Sequence, residues 1–225
     1  MSNAQRESAM KKTFAILILT FAVVAPVAGC GSTRASHYYQ LGALKENPRP
    51  EIGEPPFPVT ILVTPFRTSH LYREDRIVFG SGSEQMGLYQ YERWTEPPSE
   101  MLHEILVRRL RASGRYKEIY SLRSSSRGEF VLRGHLYDMK EMVTGAGLVG
   151  RVTFEAELTD AKTRNTLWTH SYTHDEPVGS KDVAALVGAL NRNVQAGVTD
   201  LTASLEQYFT AHPPAPAAAS TSGEN

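Results

Sequence analysis

Apolar and polar residues alternate through much of the second half of the chain, and this alternation predicts a β meander. In residues 151–159 every second side chain is apolar, so one face of the strand is expected to be buried and the other exposed. Residues 130–143 alternate in the same way until the parity shifts near Asp138, which predicts a β-bulge. The polar segment 160–165 is predicted to form a hairpin turn, and residues 166–172 to form the third strand.

Shorter strands are predicted in the first half of the chain. The mostly apolar, β-branched run 59–66 is typical of a central strand covered on both faces, and Pro65 is expected to end its hydrogen-bonding ladder. Four further segments have the composition of short strands: 37–41, 76–79, 88–92 and 116–122.

Two helices are predicted from apolar residues that recur at steps of three and four. The first follows the segment 94–98, with Thr95 as its N-cap and Gly114 as its C-terminal stop. The second begins after Ser180, its predicted N-cap, and keeps the helical period for about seven turns. Beyond it, the Pro/Ala/Ser-rich residues 212–225 lack an apolar face and are predicted to be disordered.

The N-terminal pattern is that of an export signal. Met10-Lys11-Lys12 precedes the apolar run 13–28, and the run ends in Val27-Ala28-Gly29-Cys30. This ending resembles the bacterial lipobox, which implies cleavage between Gly29 and Cys30 and attachment of diacylglycerol and an N-acyl chain to Cys30. An uncleaved membrane helix is a weaker interpretation, because the apolar run is short for a span of about 20 residues and contains a proline. Translation could start at Met1 or at Met10.

These patterns divide the chain into four parts. Residues 1–29 form the signal peptide, and residues 30–36 the lipidated cysteine with a short tether. Residues 37–211 form a single domain, and residues 212–225 the disordered tail. Gly31 stands where an aspartate would favour retention in the inner membrane, so the lipobox class implies the outer membrane.

Composition excludes two classes of protein. Basic and acidic residues balance at 24 each, so the chain lacks the positive field expected of a nucleic-acid-binding protein. Cys30 is the only cysteine, so no disulfide can form within the chain.

Two motifs suggest chemistry that their context does not support. The segment 145–150 has the spelling of a dinucleotide fingerprint, but an alternating strand follows it instead of a helix, so we interpret it as a hairpin loop that could contact a partner or lipid. His170 and His174 have no third ligand nearby, and we predict no metal site. No acid, base and nucleophile form a recognisable set, so we expect no enzyme and no cofactor besides the lipid on Cys30.

Arg93-Trp94-Thr95-Glu96-Pro97 is the most informative segment after the lipobox. Trp94 could be a core residue at a helix entry, or an aromatic docking point flanked by charges of both signs. The neighbouring Arg108, Arg109 and Arg111 are interpreted as a solvated face, with contact to a lipid headgroup or a partner as the alternative.

Several segments together resemble one family. Tyr38-Tyr39-x-Leu41 follows the lipobox, and a strand ends near Pro65. They are followed by Leu-Tyr-Arg-Glu-Asp-Arg-Ile-Val at 71–78 and by the segment 93–97. This combination resembles the ABC-type transport auxiliary lipoproteins, including those similar to paraquat-inducible protein C. Thr95 stands where that family has alanine, and Pro98 where it usually has leucine.

The resemblance implies a three-layer α/β fold in which two main helices pack on a mixed, largely antiparallel sheet. It also implies a non-catalytic lipoprotein on the inner leaflet of the outer membrane of a Gram-negative bacterium, facing the periplasm. There it would assist an ABC- or Mce-type lipid transport system, with a periplasmic Mce-domain protein and ABC transporter subunits as partners. The candidate partner-binding residues are Tyr72, Arg76, Arg93, Trp94 and Glu96. The Arg76-Ile77-Val78 and Arg93-Trp94 positions could mark a shared packing motif as well as a shared binding surface.

Three hypotheses accompany this interpretation. The protein could form a ring of identical subunits. It could instead regulate a cell-wall synthase, although the tether 31–36 spans at most about 20 Å and would keep the domain at the membrane. It could also be a periplasmic chaperone that carries lipid in its own cavity.

Overall fold

The computed structural model describes residues 34–42, 54–81, 85–122 and 127–214. Gly29 and Cys30, with the rest of the predicted signal peptide, and residues 215–225 of the predicted tail lie outside this part of the chain. Within the described ranges, no helix has the length and apolar character needed to span a bilayer.

Nine strands and two α-helices make up the described part of the chain. The strands of the first half are β1 (His37–Tyr39), β2 (Phe57–Val63), β3 (Arg67–Thr68), β4 (Arg76–Ser81), β5 (Gln85–Trp94) and β6 (Tyr116–Ser121). The second half supplies β7 (Phe130–Thr144), β8 (Gly147–Asp160) and β9 (Thr166–Pro177). The helices are α1 (Pro98–Ala112) and α2 (Val183–Ala211), and His70–Arg73 form a short 3₁₀-helix.

The long strand β7 organises the sheet. One edge of β7 pairs with β8 along nearly its whole length, antiparallel, and β9 then pairs antiparallel with β8. The other edge pairs in turn with β2, β3 and β4, all parallel. Beyond these, β6 lies parallel to β2, β5 antiparallel to β4, and β1 parallel to β5. The sheet is therefore mixed, and its two longest ladders are antiparallel, as predicted.

The bulge predicted near Asp138 is confirmed. Leu136 pairs with Phe154 and Asp138 with Thr153, so Tyr137 is the extra residue on β7. The hairpin predicted at 145–150 is confirmed as well, with Gly145 and Ala146 forming its turn. Only these two residues leave the ladder, because Gly147 to Gly150 already belong to β8.

Both helices pack their apolar stripes against the sheet and contact each other. The helix α2 packs mainly on β8 and β9, and its buried residues include Leu186, Leu190, Val194, Val198, Leu201 and Leu205. Near its C-terminus, Phe209 packs against Phe57, Tyr116 and Phe130. The α1 stripe contacts β6, and the helix ends at Gly114, whose φ of 63° suits glycine. The α/β class, with two helices on a mixed sheet, is confirmed.

Both predicted N-caps were wrong. Pro97 occupies the cap of α1, and Thr95 instead donates its backbone N–H to the carbonyl oxygen of Tyr39. Asp182 caps α2 by accepting the Ala185 N–H at 2.7 Å, and the Ser180 hydroxyl donates to that carboxylate. A charged acceptor satisfies the free N–H groups of a first turn better than a neutral hydroxyl, which explains this order.

Candidate functional site

Trp94 lies at the end of β5, where the chain enters α1. Its side chain is fully buried, and its backbone N–H donates to the carbonyl oxygen of Asp75. Across the ladder it pairs with Tyr39 of β1. The indole Nε1 has no hydrogen-bond partner among the described atoms. Trp94 therefore holds β1, β5 and the start of α1 together, and its burial argues against direct contact with a partner protein.

Tyr72, in the 3₁₀-helix, is also a core residue. Its hydroxyl donates to Asp138 Oδ1 at 3.2 Å, and the ammonium of Lys140 lies 2.7 Å from the same oxygen. Burial, followed by the charge of Asp138, raises the pKa of Tyr72, so this side chain is a neutral donor at physiological pH. Its role is to hold the 3₁₀-helix against the bulge of β7.

Arg76 and Arg93 pair across the β4–β5 ladder, and we name them the arginine pair. Each has its own carboxylate, with Arg76 Nη2 2.7 Å from Glu74 Oε2 and Arg93 Nη1 2.7 Å from Asp75 Oδ1. The Arg76 guanidinium holds the pKa of the Glu74 carboxyl below its ordinary value. Both arginine side chains are about one-third exposed, at 36% and 31%, so they can still reach a partner.

A concavity runs along α1, and we name it the α1 groove. Its volume is about 750 Å³, and its walls come from α1, the 3₁₀-helix, the segment after β2 and the end of β6. Three arginines and two glutamates line it: Arg73, Arg108, Arg111, Glu100 and Glu104. Pro65 adds exposed apolar surface, and Phe66 and Val107 line the groove but are largely buried. The groove thus combines apolar walls with an excess of guanidinium groups.

His103 forms part of the wall of the α1 groove and is itself buried. Its Nδ1 lies 3.1 Å from the Thr64 carbonyl oxygen, and its Nε2 lies 3.1 Å from Ser121 Oγ. A carbonyl oxygen can only accept, so Nδ1 carries the proton, and in the neutral ring Nε2 accepts from the Ser121 hydroxyl. Both ring nitrogens are engaged, so His103 ties α1 to β2 and β6.

Glu96 lies in a second, smaller groove on the other side of α1. This groove has a volume of about 340 Å³, and residues 40–42 form its opposite wall. Glu104 and Arg108 line both grooves, and their side chains approach to 3.6 Å. Both are more than half exposed, so their ion pair is weak and can exchange for contacts with a partner.

The structure separates the five predicted partner-binding residues. Tyr72 and Trp94 are buried, Arg76 and Arg93 form a partly exposed pair, and Glu96 is exposed in the second groove.

Sequence reasoning missed the groove residues Arg73, His103 and Ser121. The sequence did offer a signal for His103, because it is a polar residue within the apolar stripe of α1.

The two histidines of β9 do not form a common site. His170 Nε2 lies 2.9 Å from Asp200 Oδ2, whereas His174 Nε2 lies 3.5 Å from Glu176 Oε2. In the described ranges, no three His, Cys, Asp or Glu side chains are placed to hold a metal ion. His170 therefore contacts α2, whereas His174 contacts a neighbour on its own strand.

Two crystal structures share this fold. Protein XCC0632 from Xanthomonas campestris superposes with a TM-score of 0.70 at 17% identity, covering 79% of this chain and 98% of that chain. An uncharacterised protein superposes with a TM-score of 0.59 at 12% identity, covering 76% and 99%. A comparison with curated proteins finds no match.

A family model matches residues 39–202, which is most of the chain. These residues run from β1 into α2 and include both grooves and the arginine pair. The chain therefore belongs to the family of ABC-type transport auxiliary lipoprotein components.

Proposed function

We propose that this protein is a non-catalytic docking component of an ABC- or Mce-type system that moves lipids between the inner and outer membranes. Acyl chains on Cys30 would hold it in the inner leaflet of the outer membrane, with the domain facing the periplasm. The observation that supports this proposal is the family match over residues 39–202. A docking role needs an accessible surface that is chemically complementary to a partner.

The α1 groove has the chemistry of such a surface. Arg108 is 57% exposed and only loosely paired with Glu104, so a partner carboxylate can displace that contact. Arg111 has its Nε committed to the Ile119 carbonyl oxygen, which fixes its guanidinium at the groove. Pro65 adds exposed apolar surface, while Phe66 and Val107 line the groove but are largely buried. The partner that fits is an apolar segment carrying carboxylates, contributed by a periplasmic Mce-domain protein.

A non-catalytic role agrees with the state of His103. It is the histidine of the α1 groove, and both of its ring nitrogens are engaged by Thr64 and Ser121. A general base needs a free nitrogen that can reach a substrate proton.

The first experiment is to tag the C-terminal tail, extract the full-length protein gently from its native membranes and identify what co-purifies. An Mce-domain protein together with ABC subunits is the expected result. A penicillin-binding synthase instead would replace the proposal with the cell-wall hypothesis. Phospholipid in near-stoichiometric amount without protein partners would support a lipid carrier. The mass of the extracted protein tests self-association, and a single monomeric mass would contradict a ring.

A charge reversal tests the groove itself. Arg108→Glu should reduce capture of the partner by about tenfold or more, because it turns an attraction to a carboxylate into a repulsion. Lys162→Glu is the matched control, since Lys162 is equally a surface cation but lies in the β8–β9 turn. Equal capture by both variants would exclude the α1 groove as the docking surface and leave the transport role intact.

A further inference from the structure

Two hairpins end side by side at one end of the sheet. Ser81 of β4 pairs with Val143 of β7 and also with Gln85 of β5, so the β4–β5 and β7–β8 hairpins finish at the same level. We name the described residues there the hairpin end: Phe79, Met86, Val143, Ala146 and Leu148. Pro177, the last residue of β9, pairs with Val149 and so lies at this end too.

The hairpin end is apolar and exposed. Val143 is 58% exposed, Met86 43% and Phe79 39%, and Ala146 is exposed in its turn. Residues 142–150 contain no charged side chain. Nearby, Lys181 is exposed before α2, while Asp182 is engaged in capping that helix. In contrast, the turn at the other end of β8 carries Asp160, Lys162 and Arg164. A patch of exposed apolar side chains on a soluble domain marks a contact surface.

The direction of β1 indicates that the chain leading to Cys30 lies on the side of the hairpin end. His37 pairs with Glu92, and β1 runs parallel to β5, whose first residue, Gln85, lies at the hairpin end. The chain before His37 therefore enters β1 from the side of the hairpin end. Glu92 and Gln85 are about 23 Å apart along the strand, at ~3.3 Å per residue. The seven residues 30–36 reach at most about 25 Å when extended, which is just enough for Cys30 to arrive at that level.

We propose that the hairpin end rests on the lipid bilayer as a second membrane contact beside the lipidated Cys30. This inference rests on the anchor in the proposed function, because the acyl chains on Cys30 bring the bilayer to that level. Apolar side chains beside the uncharged β7–β8 turn can enter the interface at low cost, and Lys181 suits the phosphates of the headgroups. The domain would then stand with β7 and β8 pointing away from the membrane.

Depth-dependent quenching tests this orientation with the full-length lipidated protein. The thiol of Cys30 is consumed by the lipid, so a single added cysteine can carry an environment-sensitive fluorophore. Ala146→Cys places the label at the hairpin end, and Lys162→Cys places the matched control in the β8–β9 turn. Each labelled protein is reconstituted into vesicles of phosphatidylethanolamine and phosphatidylglycerol that contain a nitroxide-labelled phospholipid, and flotation confirms membrane attachment.

The label at Ala146 should lose most of its fluorescence, whereas the label at Lys162 should lose little. Adding Val143→Asp should restore much of the lost signal, and the matched Leu167→Asp at the start of β9 should not. Quenching at Lys162 alone, or at neither site in floated protein, would overturn the inference. If the labelled protein did not float with the vesicles, it would lack the lipid anchor, and the inference, which depends on that anchor, would be overturned. The transport role is tested by co-purification and the membrane contact by quenching, so one proposal can fail while the other stands.

Discussion

Trp94 illustrates how burial decides what a motif does. The segment 93–97 carries the family resemblance, and an exposed tryptophan between two charges would make a strong docking point. In the structure the indole is completely buried, and its charged neighbours Arg93 and Glu96 reach the surface. The motif is therefore a structural junction at its centre, and contacts to a partner are left to the charged residues around it.

Trp94→Ala should lower the free energy of unfolding by about 3–5 kcal/mol, because it leaves a large cavity among β1, β5 and α1. Trp94→Phe should cost less, since it keeps most of the apolar volume and removes an indole N–H that has no described partner. Thermal and urea unfolding of the detergent-solubilised protein, followed by circular dichroism, measures both changes.

Arg93→Ala is the matched control for this residue, because its ion pair with Asp75 is partly exposed. Its effect on stability should stay within about 1 kcal/mol. If Trp94→Ala kept wild-type stability and lost the partner, the indole would be a docking group after all.

At the scale of elements, the helix α2 shows how close packing limits substitution. A Cβ added to Gly197 would lie 2.7 Å from the ring of Tyr172 and 2.8 Å from that of Phe154. Phe154 is a core residue, and Tyr172 packs against the core with its hydroxyl donating to Asn193 Oδ1, so neither ring can move away freely. Gly188, in the same helix, would meet only the end of Arg192, at 3.7 Å. The first glycine is required by packing, and the second is not.

These two glycines give opposite expectations. Gly197→Ala should destabilise the protein by about 1–3 kcal/mol, because the clash with the rings of Phe154 and Tyr172 outweighs the better helix propensity of alanine. Gly188→Ala should stabilise it by up to about 1 kcal/mol, because only the propensity changes. Chemical denaturation of both variants provides the comparison, and destabilisation of equal size in both would contradict the packing argument.

Elements with local signals were predicted well from the sequence. The β7–β8–β9 meander, the bulge at Asp138 and the long α2 follow from side-chain periodicity, which is a local property. The extent of β9 was underestimated, because the strand continues from Tyr172 to Pro177 through residues without clear alternation. The N-cap of α2 was missed because Ser180 and Asp182 are both acceptors near the helix start, and that of α1 because Pro97 occupies the cap without any side-chain capping bond.

At the scale of the whole molecule, the α1 groove and the hairpin end lie far apart. The groove borders Thr64, whose backbone N–H donates to the Leu132 carbonyl oxygen near the start of β7. The hairpin end lies near Thr144, about 40 Å further along the same strand at ~3.3 Å per residue. The groove wall at the 3₁₀-helix is closer, about 20 Å from Thr144 by the same measure, because Tyr72 binds Asp138. With the hairpin end on the bilayer, the groove would open into the periplasm, where an Mce-domain protein can reach it.

Cys30→Ser tests the proposed anchor directly. Serine lacks the thiol that accepts diacylglycerol, so the variant should not incorporate labelled palmitate and should retain residues 1–29. Metabolic labelling and the intact mass of the purified protein measure these two outcomes. Ser32→Ala is the control that leaves the thiol in place and should be processed normally. Acyl incorporation in Cys30→Ser would contradict the proposed lipidation site.

The sequence by itself determined the α/β class, the meander, both helices and the family resemblance, because these depend on local periodicity and short motifs. Only the tertiary structure decided which edge of β7 receives β2, β3 and β4, since parallel pairing joins residues that are distant in sequence. It also decided that Trp94 and Tyr72 are buried, that Arg73 and Arg108 meet in one groove, and that two hairpins end together. Burial and proximity arise from packing between elements, which no single segment of the chain encodes.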